Sequence, residues 1–128
     1  MFKDTPAFSG FAVDDVGKAK DFYGNTLGLD VEEVPGMGLT LKVGGGASIF
    51  VYPKDNHEPA TFTILNFSVP DIGKAVDQLT QAGIQFERYD MGDATADEKG
   101  IYRDSQGPAI AWFKDPAGNV LSVLEDGG

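Results

Sequence analysis

An internal repeat at an offset of 56 positions organises this 128-residue chain. Phe11, Val13, Asp15, Gly17, Lys18, Ala19 and Asp21 recur as Phe67, Val69, Asp71, Gly73, Lys74, Ala75 and Asp77, seven identities in eleven positions. Val16 and Ile72 add a conservative match. Chance identity at a fixed offset runs near about 6% by average residue usage, so the chain is two copies of one supersecondary unit.

Each copy opens on an apolar strand, residues 7–13 and 62–69, followed by an aspartate suited to cap a helix. Val16, Ala19, Phe22 and Tyr23 then share one helical face, as do Ile72, Ala75, Val76 and Leu79. Gly28 and Gly83 stop the helices. Three further strands are expected per copy: 30–34, 39–43 and 47–52, then 84–90, 109–114 and 120–125. The turns are supplied by Gly44-Gly45-Gly46 and by Asp115-Pro116-Ala117-Gly118. The expected fold is therefore α+β: two βαβββ modules (7–52 and 62–125) joined by a polar linker (53–61) in a single domain. Residues 91–99, rich in Gly, Asp and Ala, form a loop that could act as a flap over the second module.

Composition closes off several chemistries. Twenty acidic against ten basic residues give a net charge of −10, unfavourable for a phosphate-backbone partner, so no nucleic-acid partner is expected. The absence of cysteine excludes disulfides, thiolate metal sites and thiol catalysis, and suits a reducing compartment. His57 is the single histidine and lies in the linker, where a solvated role is the simpler reading. Asp4 and Pro6 interrupt the start, and no apolar run approaches the roughly 20 residues of a membrane span, so a soluble, cytoplasmic protein is expected. The triple glycine lacks the Lys-Ser/Thr and following helix of a phosphate loop.

Two βαβββ modules, together with Phe22-Tyr23, Leu27-Gly28-Leu29 and the Asp115-Pro116-Ala117-Gly118-Asn119 hairpin, resemble the vicinal oxygen chelate superfamily over about residues 7 to 125. That superfamily includes glyoxalase I, extradiol dioxygenases, fosfomycin resistance enzymes and bleomycin-binding proteins. The resemblance implies curved mixed sheets around a cleft and, often, homodimers. In the metal-dependent relatives the first strand of each module would carry a histidine and the last strand a glutamate. Here the histidine places fall on Phe8 and Ile64, and the glutamate places on Ile49, with Gly45 set against Gly118, and on Ser122. None is a histidine or a carboxylate, so no metal site and no cofactor are expected.

Period-two alternation from those places assigns Phe8, Gly10, Ala12, Ala47, Ile49 and Val51 to the cleft side in the first module. In the second it assigns Ile64, Asn66, Ser68, Val120, Ser122 and Leu124. If Lys114 faces Asn119 across the closing hairpin, Phe113 joins the cleft wall and Trp112 faces outward. Tyr102 and Arg103, beside the loop, complete a candidate ligand-binding set of Phe8, Ile49, Ile64, Asn66, Tyr102, Arg103, Phe113 and Ser122. No catalytic residue is assigned, because Ser122 has neither a base nor an oxyanion hole in view. An apolar floor with a few polar groups suits a small organic molecule. The reading is thus a metal-independent sequestering, carrier or resistance-type binding protein. Two alternatives stand beside it: a glyoxalase-like lyase or dioxygenase-type enzyme with a relocated metal, and a structural module whose cleft is filled by its own side chains.

Overall fold

A computed structural model describes residues 1–89, 95–103 and 107–125. Contacts divide the chain into two compact units, Met1–Pro59 and Ala60–Gly128.

In the first unit, β1 (Ser9–Val13) leads into α1 (Val16–Asp21), β2 (Asp30–Val34), β3 (Gly38–Lys42) and β4 (Ser48–Pro53). The sheet order is β1-β4-β3-β2, with β1 and β4 parallel and the other pairs antiparallel. The repeat aspartate does what its position predicts: the Asp15 carboxylate accepts the Lys18 N–H at 3.1 Å and caps α1. The helix runs into a widened π-type turn over Phe22–Thr26, where the Leu27 N–H reaches back to the Phe22 carbonyl at 2.9 Å. Phe22 and Tyr23 both bury there, Tyr23 completely, with the Phe11 ring 5.8 Å away. The core face of the sheet presents Phe11, Val13, Leu39, Leu41, Ile49 and Val51.

The second unit repeats the plan with β5 (Thr63–Val69), α2 (Ile72–Gln81), β6 (Ile110–Lys114) and β7 (Val120–Glu125). Its sheet order is β5-β7-β6, with β5 and β7 parallel. Asp71 caps α2 through the Lys74 N–H at 3.1 Å, and the Glu125 carboxylate accepts the Ile72 N–H at 3.2 Å. Ile72 and Val76 are buried, as are Ala111, Phe113, Leu121 and Val123 on the sheet. Gly83, at a φ of +95°, ends α2 in the left-handed region that its sequence position predicts.

The strand expected at 84–90 does not form. Its described part makes one isolated bridge, Glu87 with Trp112. Side chains take the backbone groups a ladder would need: the Tyr102 hydroxyl accepts the Tyr89 N–H and donates to the Tyr89 carbonyl at 2.9 Å. The Arg88 guanidinium meanwhile holds the carbonyls of Asp97 and Glu98 at 2.9 and 3.1 Å, tying the following loop to this segment. Residues 91–94 of the expected flap lie outside the described residues. The remainder folds around Asp97, whose Oδ1 accepts the N–H groups of Lys99 and Ile101, both at 2.9 Å.

The closing hairpin shows what its motif is for. Asp115 Oδ1 accepts the N–H groups of Ala117 at 3.0 Å and Asn119 at 2.8 Å, while Oδ2 takes the Asn119 side-chain amide at 3.0 Å. Asp115 and Asn119 are buried, and Gly118 turns at a φ of +85°. The Asp115 N–H also bonds the Asn119 carbonyl at 3.0 Å, so Asp115, and not Lys114, faces Asn119.

Candidate functional site

Each sheet packs one face toward its own helix; the other face is largely exposed in the first sheet, whereas in the second Val120 and Ser122 are buried there too. In the first unit a row of register partners crosses the open face: Gly10, Phe50, Thr40 and Glu32. A Cβ at Gly10 would lie 3.0 Å from the Phe50 carbonyl oxygen, so a side chain there would crowd β4. Phe50 and Tyr52 stack with ring centroids 6.1 Å apart and planes at 19°. Phe8, 75% exposed, joins Met37, Thr40, Ser48 and Phe50 around a pocket of about 310 Å³. A larger concavity, about 450 Å³, opens against the β2–β3 turn. Its one acidic side chain, Glu33, is held by Lys20 at 2.9 Å, and no set of polar groups converges in it.

In the second unit the matching row is Asn66, Ser122 and Trp112. Ser122 is fully buried and donates its hydroxyl to Asn66 Oδ1 at 2.5 Å. Asn66 itself is exposed. The Trp112 indole N–H donates to Thr63 Oγ1 at 3.0 Å, and the rings of Tyr102 and Tyr89 meet the indole edge-on at 5.3 and 5.6 Å. Burial, and the negative charge of Glu87, hold the Tyr89 phenol above its usual value.

Two residues of the candidate ligand-binding set change face, Ile49 and Phe113, and Val51 turns inward with Ile49. Ile49 pairs with Ser9 and Leu41 and is 7% exposed, packed in the core; the open-face residue is Phe50. The residues Ile49-Phe50-Val51-Tyr52 are apolar or aromatic at both parities, so alternation alone did not select between them. The repeat carried a usable signal. Gly10 and Asn66 are equivalent at the 56-residue offset, so the partner of Gly10 corresponds to the partner of Asn66, namely Ser122. Phe113 is the second correction: it pairs with Leu121 and is completely buried, with the Phe86 ring 5.7 Å away, while Trp112 stands beside Ser122 on the opposite face. The one-residue difference at the hairpin reverses the whole strand.

Other expected residues fall as follows. Ile64 sits at a bulge, between the Thr63–Val120 and Leu65–Leu121 pairs, without a register partner of its own. Tyr102 is 3% exposed, its hydroxyl bound to the Tyr89 backbone. Arg103 is exposed, with Nε 3.6 Å from Asp97 Oδ2.

A family model described as the Glyoxalase/Bleomycin resistance protein/Dioxygenase superfamily matches residues 7–123. The chain belongs to that superfamily. Solved structures agree on the fold. A glyoxalase family protein from Enterococcus faecalis aligns at a TM-score of 0.68 and 23% identity, over 98% of this chain and 100% of the other. A genomically encoded fosfomycin resistance protein from Listeria monocytogenes aligns at 0.71 and 12% identity, over 96% and 93%. An antibiotic binding protein from Streptomyces sp. CB03234 aligns at 0.66 and 23% identity, over 95% and 97%. No curated protein matches the chain.

The resemblance would put metal ligands at Phe8, Ile64, Ser122 and one place on β4, which is Ile49 by the sequence reading and Phe50 by the register of the sheet. Three offer no donor atom, and the Ser122 hydroxyl is buried and bonded to Asn66. A divalent ion needs several oxygen, nitrogen or sulfur donors, so these residues do not fit one. Among the described residues, no group of three His, Cys, Asp or Glu side chains comes together to hold an ion elsewhere. Also among the described residues, no helix is long and apolar enough to cross a membrane.

Proposed function

We propose that this protein binds a small organic molecule without a metal, as a sequestering, carrier or resistance-type member of its superfamily. The observation that carries the reading is Phe50. At the register position equivalent to Ser122, where relatives would carry a carboxylate, the chain places an aromatic ring that helps line a pocket with Phe8 and Met37. An apolar hollow of about 310 Å³ with hydroxyls from Thr40 and Ser48 at its edge suits part of an organic ligand and not an ion. The antibiotic-binding and fosfomycin-resistance proteins of the same fold support this class of function by analogy.

The proposal includes a cytoplasmic setting, in keeping with zero cysteines, and a homodimer, in keeping with the resemblance to relatives that pair. Light scattering on the purified protein reads the chain stoichiometry directly.

The test of binding is fluorescence titration with 8-anilinonaphthalene-1-sulfonate, compared between the unaltered protein and Phe50→Asp. Enhanced, saturable emission that the substitution reduces tenfold or more in affinity, a loss of about 1.4 kcal/mol, supports the reading. Equal binding by both proteins removes the open face of the first sheet as the site. Plasma mass spectrometry on native, untagged protein tests the metal-free part. Near one ion per chain would overturn it and bring the lyase or dioxygenase alternative forward.

A further inference from the structure

We infer that Asn66 sets ligand specificity as a hydrogen-bond donor to a carbonyl-type oxygen on an aromatic ligand, and that Ser122 is the residue that positions it. The inference rests on the small-molecule reading above and concerns the second unit by itself, naming the chemical class that its sheet face would select.

Ser122 has one hydroxyl proton and no exposure to water, so the proton needs an acceptor inside the protein. It goes to Asn66 Oδ1 at 2.5 Å. This bond decides which end of the amide is offered outward. If the carboxamide turned over, its NH₂ would face the hydroxyl and the Ser122 proton would lose its acceptor in a buried place, which is costly. The Asn66 Nδ2 therefore faces away from Ser122, and among the described residues no acceptor takes its hydrogens. An asparagine can donate or accept; this one is held as a donor.

The same row supplies the second half of the recognition. Trp112 is the register partner of Ser122 on the opposite side from Asn66, and it is the single tryptophan of the chain. Its indole, partly exposed, is fixed by Thr63 and by the rings of Tyr89 and Tyr102, and so offers a positioned aromatic edge one strand beyond Ser122. A flat ring that reaches from this edge to Asn66 removes water from Asn66 Nδ2. A ligand with an exocyclic oxygen replaces that water; one without it leaves the donor desolvated and unpaired, and that penalty is the source of discrimination.

A matched pair of probes tests this: 2-acetylnaphthalene and 2-ethylnaphthalene, alike in shape but differing in the carbonyl oxygen. Equilibrium dialysis gives each affinity, and the one indole N–H resonance in a ¹⁵N-labelled sample reports whether the probe sits at Trp112. The ketone is the less hydrophobic compound, so burial alone favours the ethyl compound. The expected result is the reverse order, the ketone binding about five- to tenfold tighter, with the indole resonance shifting. Asn66→Asp keeps an acceptor for the Ser122 hydroxyl but removes the donor, and should restore the order set by hydrophobicity. Asn66→Leu, tested in parallel, should do the same without adding charge. Ser122→Ala should shrink the ketone preference while leaving the ethyl compound's affinity unchanged, whereas a merely structural role would weaken both probes together. Equal affinities in the unaltered protein, or a ketone preference that survives Asn66→Asp and Asn66→Leu, overturn the inference and leave the small-molecule reading standing. Failure of both probes to bind overturns that reading for aromatic ligands, and the inference with it.

Discussion

Ser122 and Asn66, partners on adjacent parallel strands, share a 2.5 Å hydrogen bond in which the fully buried hydroxyl donates to an exposed side-chain amide. Ser122→Ala removes the bond without leaving a buried partner unsatisfied, since Asn66 reaches water. Its expected cost is about 1 kcal/mol, read as a lower urea midpoint with an unchanged slope.

Adjacent residues on β4 should respond in opposite ways to the same charge. Ile49→Asp puts a carboxylate into the core of the first unit, beside Leu41, and should cost at least about 4 kcal/mol or abolish folding. Phe50→Asp places it on the open face and should leave the melting temperature within a few degrees of the unaltered protein. Circular dichroism melts of the two variants decide which parity β4 adopts.

Asp115 holds the closing hairpin through hydrogen bonds from the Ala117 and Asn119 N–H groups and the Asn119 side-chain amide, and is 5% exposed. Asp115→Ala should therefore cost about 2–4 kcal/mol, because it strands the N–H groups of Ala117 and Asn119. Asp115→Asn retains the Oδ1 acceptor and should cost about 1 kcal/mol. Chemical denaturation of both variants measures the difference.

Two glycines of the first unit differ in what limits them. At Gly38, where φ is +148°, an added Cβ would lie 2.1 Å from the Val51 carbonyl oxygen, so Gly38→Ala must move a strand and should cost more than about 3 kcal/mol. At Gly45, where φ is +82°, nothing lies within 4 Å, and Gly45→Ala should cost only the left-handed backbone penalty of about 1–2 kcal/mol. Thermal melts compare them.

Acid sensitivity should trace in part to Asp97. Burial raises its carboxyl pKa, but the N–H groups of Ile101 and Lys99 and the Arg103 guanidinium outweigh that and hold it below the usual carboxylate range. On acidification the unfolded chain takes up this proton first. The stabilisation is therefore present above the ordinary aspartate value of about 3.9 and is lost as pH falls through the depressed folded value. Asp97→Asn should show a smaller loss of stability than the unaltered protein between about pH 5 and pH 3, measured by urea denaturation at each pH.

The repeat, the two aspartate caps, the glycine stops and the core stripes of both helices are legible in the residues alone. These depend on contacts within a few residues, where side-chain type and spacing leave one low-energy arrangement. Tertiary structure decided what a one-residue shift could reverse. Ile49-Phe50-Val51-Tyr52 and Ala111-Trp112-Phe113 are apolar at every position, so hydrophobicity favours neither face. The parallel pairing of Gly10 with Phe50, and the bond that sets Asp115 opposite Asn119, fixed the register. That is why Phe50 and Trp112 reach the open faces while Ile49 and Phe113 are buried. The missing strand at 84–89 has a similar cause: the Tyr102 hydroxyl takes the Tyr89 backbone groups, a contact between residues 13 apart that propensity along the chain does not encode.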